Sequence, residues 1–127
     1  MAGKYGEFTL NLLRITTGFM FLEHGMQKLF GMLGKEAVDL ASLSGVAGVL
    51  EFFGGLAIMI GLFTRPVAFV LAGQMAVAYW MVHGMQSFWP VLNGGEKAAL
   101  YCFVFLFLWG YGGGKFSIDG MLAKKRT

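Results

Sequence analysis

Apolar residues run through this chain in long blocks, broken by glycine, proline and a few charges. Crossing hydrocarbon as a helix takes about 20 mostly apolar residues. Four blocks qualify, at about 8–30, 43–63, 66–86 and 96–111. Between Arg65 and Glu96 there is no Asp, Glu, Lys or Arg. Helix is the required form, because backbone groups in lipid must be satisfied within their own segment. The links are short. Thr64-Arg65-Pro66 joins the second block to the third, with Pro66 suited to a helix start. Residues 87–95, with Pro90 and Asn93-Gly94-Gly95, form the turn before the fourth, and Gly112-Gly113-Gly114 end it. Short links force neighbours antiparallel. The pattern therefore predicts an all-α, up-down integral membrane four-helix bundle, one domain over residues 1–127.

Composition agrees: 57% of the residues are hydrophobic and 13% charged, against about 25% charged in a soluble domain. The mean hydropathy is +0.65. The net charge of +3 comes without a basic run long enough for nucleic acid, which is set aside as a partner. One cysteine, Cys102, rules out an intrachain disulfide, a Cys metal cluster and a dithiol centre within the chain, and no metal site is expected. The first block runs into Glu23-His24-Gly25-Met26-Gln27-Lys28 with no small-x-small cleavage site, so it reads as a retained anchor. Lys4, Arg14, Arg65, Lys115, Lys124, Lys125 and Arg126 fall on one side, and Lys28, Lys35 and Lys97 on the other. The first side is predicted to be cytoplasmic, with both termini.

Topology brings the polar residues into register. Arg14, Gly18, Phe21, Gly25 and Lys28 share one face of the first helix, predicted to be the inner one, with Glu23 opposite and His24 between. Gly48, Glu51, Gly55 and Ile58 share a face of the second, and the glycines let another backbone approach. His24, Lys28, Glu51, His83, Asn93 and Glu96 converge on one outer layer, the candidate ligand site. Charges within spans cost roughly 2.5–3.5 kcal/mol each on insertion scales and tend to mark function. Bland readings stand beside this one. Lys28 also reads as a side chain snorkelling to the interface, Glu51 as the structural partner of Lys28 or Arg14, and Arg14 and Arg65 as anchors. His24-Gly25-Met26-Gln27 and His83-Gly84-Met85-Gln86 repeat at the ends of alternate helices, as two parallel hairpin repeats would, or by coincidence.

In their order and spacing several motifs together resemble the DoxX family of small four-helix membrane proteins. They are Arg14, Gly18, His24-Gly25-Met26-Gln27-Lys28-Leu29, Glu51, Gly54-Gly55 and Gly61-Leu62-Phe63-Thr64-Arg65, then Asn93-Gly94-Gly95-Glu96 and the tail Gly112-Gly113-Gly114-Lys115-Phe116-Ser117-Ile118-Asp119. Lys115 stands where the family pattern leads one to expect arginine, and Gly113 where proline is expected. The resemblance covers roughly residues 8–119. It implies a bacterial or archaeal cytoplasmic-membrane protein, in a family linked to thiosulfate:quinone oxidoreduction and to redox complexes guarding thiol balance. The leading expectation is a redox-complex subunit binding a quinone or similar carrier, with Lys28 and His24 donating to its oxygen and Glu51 or Glu96 tuning them. The missing electron donor implies a protein partner. A homo-oligomer, a small-solute transporter and a purely structural membrane partner are the alternatives. Haem b between His24 and His83 ranks below them all.

Overall fold

The computed structural model of the chain describes residues 4–31, 42–83 and 96–126, and every element among them is helical. Helix α1 is Lys4–Phe30, α2 is Leu43–Ile60 and α3 is Thr64–Ala78, running on through a π-helical turn, Tyr79–His83. Helix α4 is Glu96–Tyr111, and a short α5, Ile118–Arg126, follows where the sequence pattern predicted no helix. The link between α2 and α3 is also displaced. Gly61 takes the left-handed conformation (φ 73°), and the Leu62 amide donates to the Ala57 carbonyl at 2.8 Å, closing α2 earlier than its apolar run suggests. Phe63 is left-handed too (φ 50°). The turn is thus Gly61-Leu62-Phe63, and Thr64-Arg65-Pro66, expected as the link, is the first turn of α3, where proline's missing N–H costs nothing.

Adjacent helices run antiparallel in a closed ring. Along α1 and α2 the contacts step from Gly18 against Met59, through Gly25 against Phe52, to Lys28 against Gly48. Helices α2 and α3 meet at Gly54–Leu71 and Glu51–Gln74, and α3 and α4 at Arg65–Tyr111 and Phe69–Trp109. The ring closes between α4 and α1, where Phe105 meets Phe21 edge-on at 5.0 Å and Tyr101 lies against His24. Phe21, Ile58, Leu71, Phe105 and Leu108 fill the centre. Helices α1 and α2 cross closest: a Cβ on Gly18 would sit 2.5 Å from the Met59 backbone nitrogen, and one on Gly55 2.7 Å from that of Leu22.

Large apolar side chains cover the outside as well as the centre, and a few polar groups lie inside. Leu12, Phe19, Phe53, Phe69, Val77, Phe103 and Phe107 point outward, whereas Asn11, Arg14, Thr17, Glu51, Thr64 and Ser117 are buried. Among the described residues, however, no helix is long and apolar enough to cross a membrane, against the four spans read from the sequence. Helices α2, α3 and α4 have 18, 15 and 16 residues, under the ~20 of a straight span. Helix α1, with 27, carries Glu7, Arg14, Glu23 and Lys28.

One end of the bundle is closed by the segment after α4. The Arg14 guanidinium, 1% exposed, donates to Asn11 Oδ1 at 2.8 Å, to the Phe116 carbonyl at 3.1 Å and to the carbonyls of Gly113 and Met59. It therefore ties α1 and α2 to the tail from inside the bundle, on the inner face where the spacing placed it. The Glu7 carboxylate receives the Asn11 amide at 3.2 Å and the Lys115 backbone N–H. Phe63 has no side chain that can cap α3, and Asp119 does so instead: its two carboxylate oxygens accept from the Phe63 and Thr64 amides at 2.8 and 2.7 Å. Arg65 is exposed and donates to the Tyr111 carbonyl at 3.4 Å.

Candidate functional site

From Arg14 to Lys28, fourteen residues along α1, the helix rises roughly 21 Å. At that second level Lys28 Nζ meets Glu51 Oε2 at 2.6 Å, and Gln74 Nε2 donates to the same oxygen at 3.0 Å. The contact depends on Gly48, one turn before Glu51 on α2, where a Cβ would press to 2.9 Å from Lys28 Cβ. The lysine stem lies along that gap and keeps 34% of its side chain accessible, while Glu51 keeps 3%. The Gln74 Oε1 atom is buried with no hydrogen-bond partner among the described residues. An open cleft of about 390 Å³ lies beside the trio, walled by α2 and α3 and including Val46, Val70, Val77 and Met81.

A larger cleft, about 530 Å³, opens between α1 and α4. Its walls are Leu13, Thr16, Thr17, Met20, Leu100 and Val104, and its polar end is made by Glu23, His24, Gln27, Lys97 and Tyr101. The helical step explains the set: residues 13, 16, 20, 23, 24 and 27 form the strip of α1 beside the one that packs on α2. Tyr101 is held by rings, tilted on Phe21 at 5.3 Å and stacked with Phe105 at 6.0 Å, and it presents its edge to His24 at 6.3 Å. The imidazole and the phenol can each donate or accept a hydrogen bond.

The predicted layer is thus divided. Lys28 and Glu51 come together, but His24 lies in the other cleft, so His24 and Lys28 do not face one ligand atom as the sequence reading required. Glu96 is exposed in the first turn of α4 and lines neither of these clefts, whereas its neighbour Lys97 lines the larger. Of His83 only the backbone is described, as the last residue of the π turn, and Asn93 lies outside the described residues. Glu23, expected opposite the inner face, lines the larger cleft. Gln74 and Tyr101 were not singled out by the sequence, and Gln27 and Lys97, noted there in a motif and in the charge count, were not placed among the site residues. Gln74 carries the clearest signal, a primary amide in the middle of an apolar run. Among the described residues no group of three or more His, Cys, Asp or Glu could hold a metal ion.

The DoxX family model matches residues 9–84, from α1 through the π turn. An uncharacterized protein of Haemophilus influenzae is 37% identical over 129 residues, covering 96% of this chain and 96% of its own length. An uncharacterized membrane protein of Mycobacterium tuberculosis is 25% identical over 133 residues, covering 91% of this chain and 82% of its own. No solved structure matches the chain. A family match over more than half of the chain, and a relative that aligns with nearly all of it, make this protein a member of the DoxX family.

Proposed function

We propose that the chain is a membrane-embedded subunit of a redox system and that it binds a lipid-soluble small molecule, a quinone or a compound of similar shape, between α1 and α4. A membrane location is supported by the family, by the relative named as a membrane protein and by the large apolar side chains exposed on every long helix. Soluble monomers rarely expose apolar patches beyond a few hundred Å². Helices shorter than the hydrocarbon are accommodated by local thinning of the bilayer. The π turn also carries α3 on to His83. The uneven distribution of Lys and Arg supports a multi-pass bacterial cytoplasmic-membrane protein with both termini inside.

The observation that carries the ligand reading is the form of the larger cleft, apolar along its walls and polar at one end. A ring carbonyl would take hydrogen bonds from His24 and Tyr101 while the apolar remainder lies along Met20, Leu100 and Val104. Glu51 is already engaged by Lys28 and Gln74, so that pair stiffens the wall behind the site and takes no direct part. Electrons would come from a partner protein, since the single cysteine supplies no dithiol.

The test is mass spectrometry of the lipid-soluble extract from protein purified in mild detergent. Near-stoichiometric quinone is expected in the wild type. Loss of one or two hydrogen bonds, in His24→Leu or Tyr101→Phe, should lower it about tenfold. Thr16→Trp, filling the cleft from an exposed position, should remove it. Equal quinone in all four proteins would sink the reading. A second reading, small-solute binding or transport, is favoured by the unpartnered Gln74 Oε1 beside Glu51. It predicts uptake into proteoliposomes that falls in Gln74→Leu and is indifferent to Thr16→Trp.

A further inference from the structure

Helix α5 is fastened to the bundle along one side only. Asp119 caps α3, and the Gly120 amide donates to Ser117 Oγ at 3.0 Å, with Gly120 packed so closely that a Cβ would lie 2.7 Å from the Gly114 and Lys115 carbonyl oxygens. On the other side Ile118, Met121 and Leu122 fall within one arc at helical spacing, and all three are exposed, Met121 at 62%. Phe116, just before the helix, is 71% exposed. Tyr5, Phe8 and Phe63, at the same end of the bundle, are exposed as well.

Charge at this end points one way. Lys124, Lys125 and Arg126 fill the last turn of α5, and Lys115 and Arg65 are exposed nearby. The acidic groups are committed, Asp119 to the α3 cap and Glu7 to Asn11 and the Lys115 amide. An outward apolar arc on a helix whose last turn is basic, at an end of the bundle rich in Lys and Arg, fits a helix lying in the plane of an anionic lipid surface.

We propose that α5 is an interfacial helix, seated at the headgroup–acyl boundary of the leaflet at this end and held there by anionic phospholipid. Phe116, Ile118, Met121 and Leu122 enter the boundary while the basic last turn meets the headgroups. The proposal rests on the membrane reading above.

The test uses the full chain in vesicles of phosphatidylcholine, with or without phosphatidylglycerol. A single cysteine carries an environment-sensitive fluorophore at Leu122→Cys in a Cys102→Ser background, and a control probe sits at Phe103→Cys on the outward face of α4. Brominated lipid should quench the probe at 122 about twofold more in the anionic vesicles. Replacing Lys124, Lys125 and Arg126 with Gln should abolish the difference. A probe at 122 quenched by aqueous iodide alike in both vesicles overturns the proposal. So does one shielded from both quenchers, which means that protein covers this face. If instead the control at 103 is open to iodide and untouched by brominated lipid, the membrane reading itself has failed.

Discussion

Glu51 and Lys28 share one contact but not one environment, and the difference decides which loss costs more. The carboxylate is 3% exposed and the lysine 34%. Removing Lys28 strands a buried anion with, among the described residues, the Gln74 amide as its remaining hydrogen-bond donor, so Lys28→Met should destabilise by ~3–5 kcal/mol. In Glu51→Gln the lysine can swing its ammonium to water, and the cost should be nearer ~1–2 kcal/mol. The double variant should recover most of the larger loss, as read by a double-mutant cycle of unfolding in detergent. Strictly additive costs would mean that the two side chains do not couple. Lys28 and Glu51 were legible in the sequence because charges inside apolar runs are conspicuous. Gln74 was not, because a search for charges passes over a neutral amide, although an amide buried without a partner is also costly. His24 looked like a neighbour of Lys28. Four residues turn a helix roughly 40° beyond a full circle, enough here to send the two side chains into different clefts.

At the scale of elements, the glycines divide into two kinds. Gly18 and Gly55 stand against backbone atoms, which cannot step aside as a flexible side chain can. Gly18→Ala should force α1 and α2 apart at a cost of about 1–3 kcal/mol. Gly73 and Gly110 have nothing within 4 Å of an added Cβ, so Gly73→Ala and Gly110→Ala should raise stability by roughly 0.5–1 kcal/mol through helix propensity. Thermal unfolding of the three variants in one detergent separates the two kinds, and equal effects would count against the close crossing. Asp119→Ala should cost about 1–2 kcal/mol, as loss of an N-cap does. It should also speed tryptic cutting after Lys115, whereas unchanged digestion would argue against the cap. The order of the helices could be read from the apolar blocks, since length and interruption are what those blocks encode. Helix α5 could not. Its nine residues are too few to hold a helix alone, with Gly120 among them, and it owes its form to contacts such as those of Asp119 with the start of α3. The turn at Gly61-Leu62-Phe63 was hidden for a similar reason, because it interrupts an apolar run without proline or a charge.

For the whole molecule, the exposed apolar side chains and the proposed membrane location together imply dependence on an apolar solvent. The chain should stay with membranes washed in alkaline carbonate and leave them only with detergent, and its release by carbonate alone would count against an embedded bundle. All-helical architecture was legible because composition bears on it directly. Which residues share a cleft was not, since that depends on how α1 and α4 are rotated against each other. The Arg14 contacts reach further, to the making of the protein. The glycine crossing of α1 and α2 can form as soon as both are synthesised, yet two of the carbonyls that receive the guanidinium, those of Gly113 and Phe116, emerge some hundred residues after Arg14. The amides at the start of α3 wait likewise for Asp119. A chain cut short before Gly112 lacks both those carbonyls and the segment that closes this end, so its Arg14 guanidinium is left to water and the start of α3 has no Asp119 cap. The end of the bundle where α1 begins is therefore finished late, once the segment after α4 has been made and has folded onto Arg14 and the start of α3.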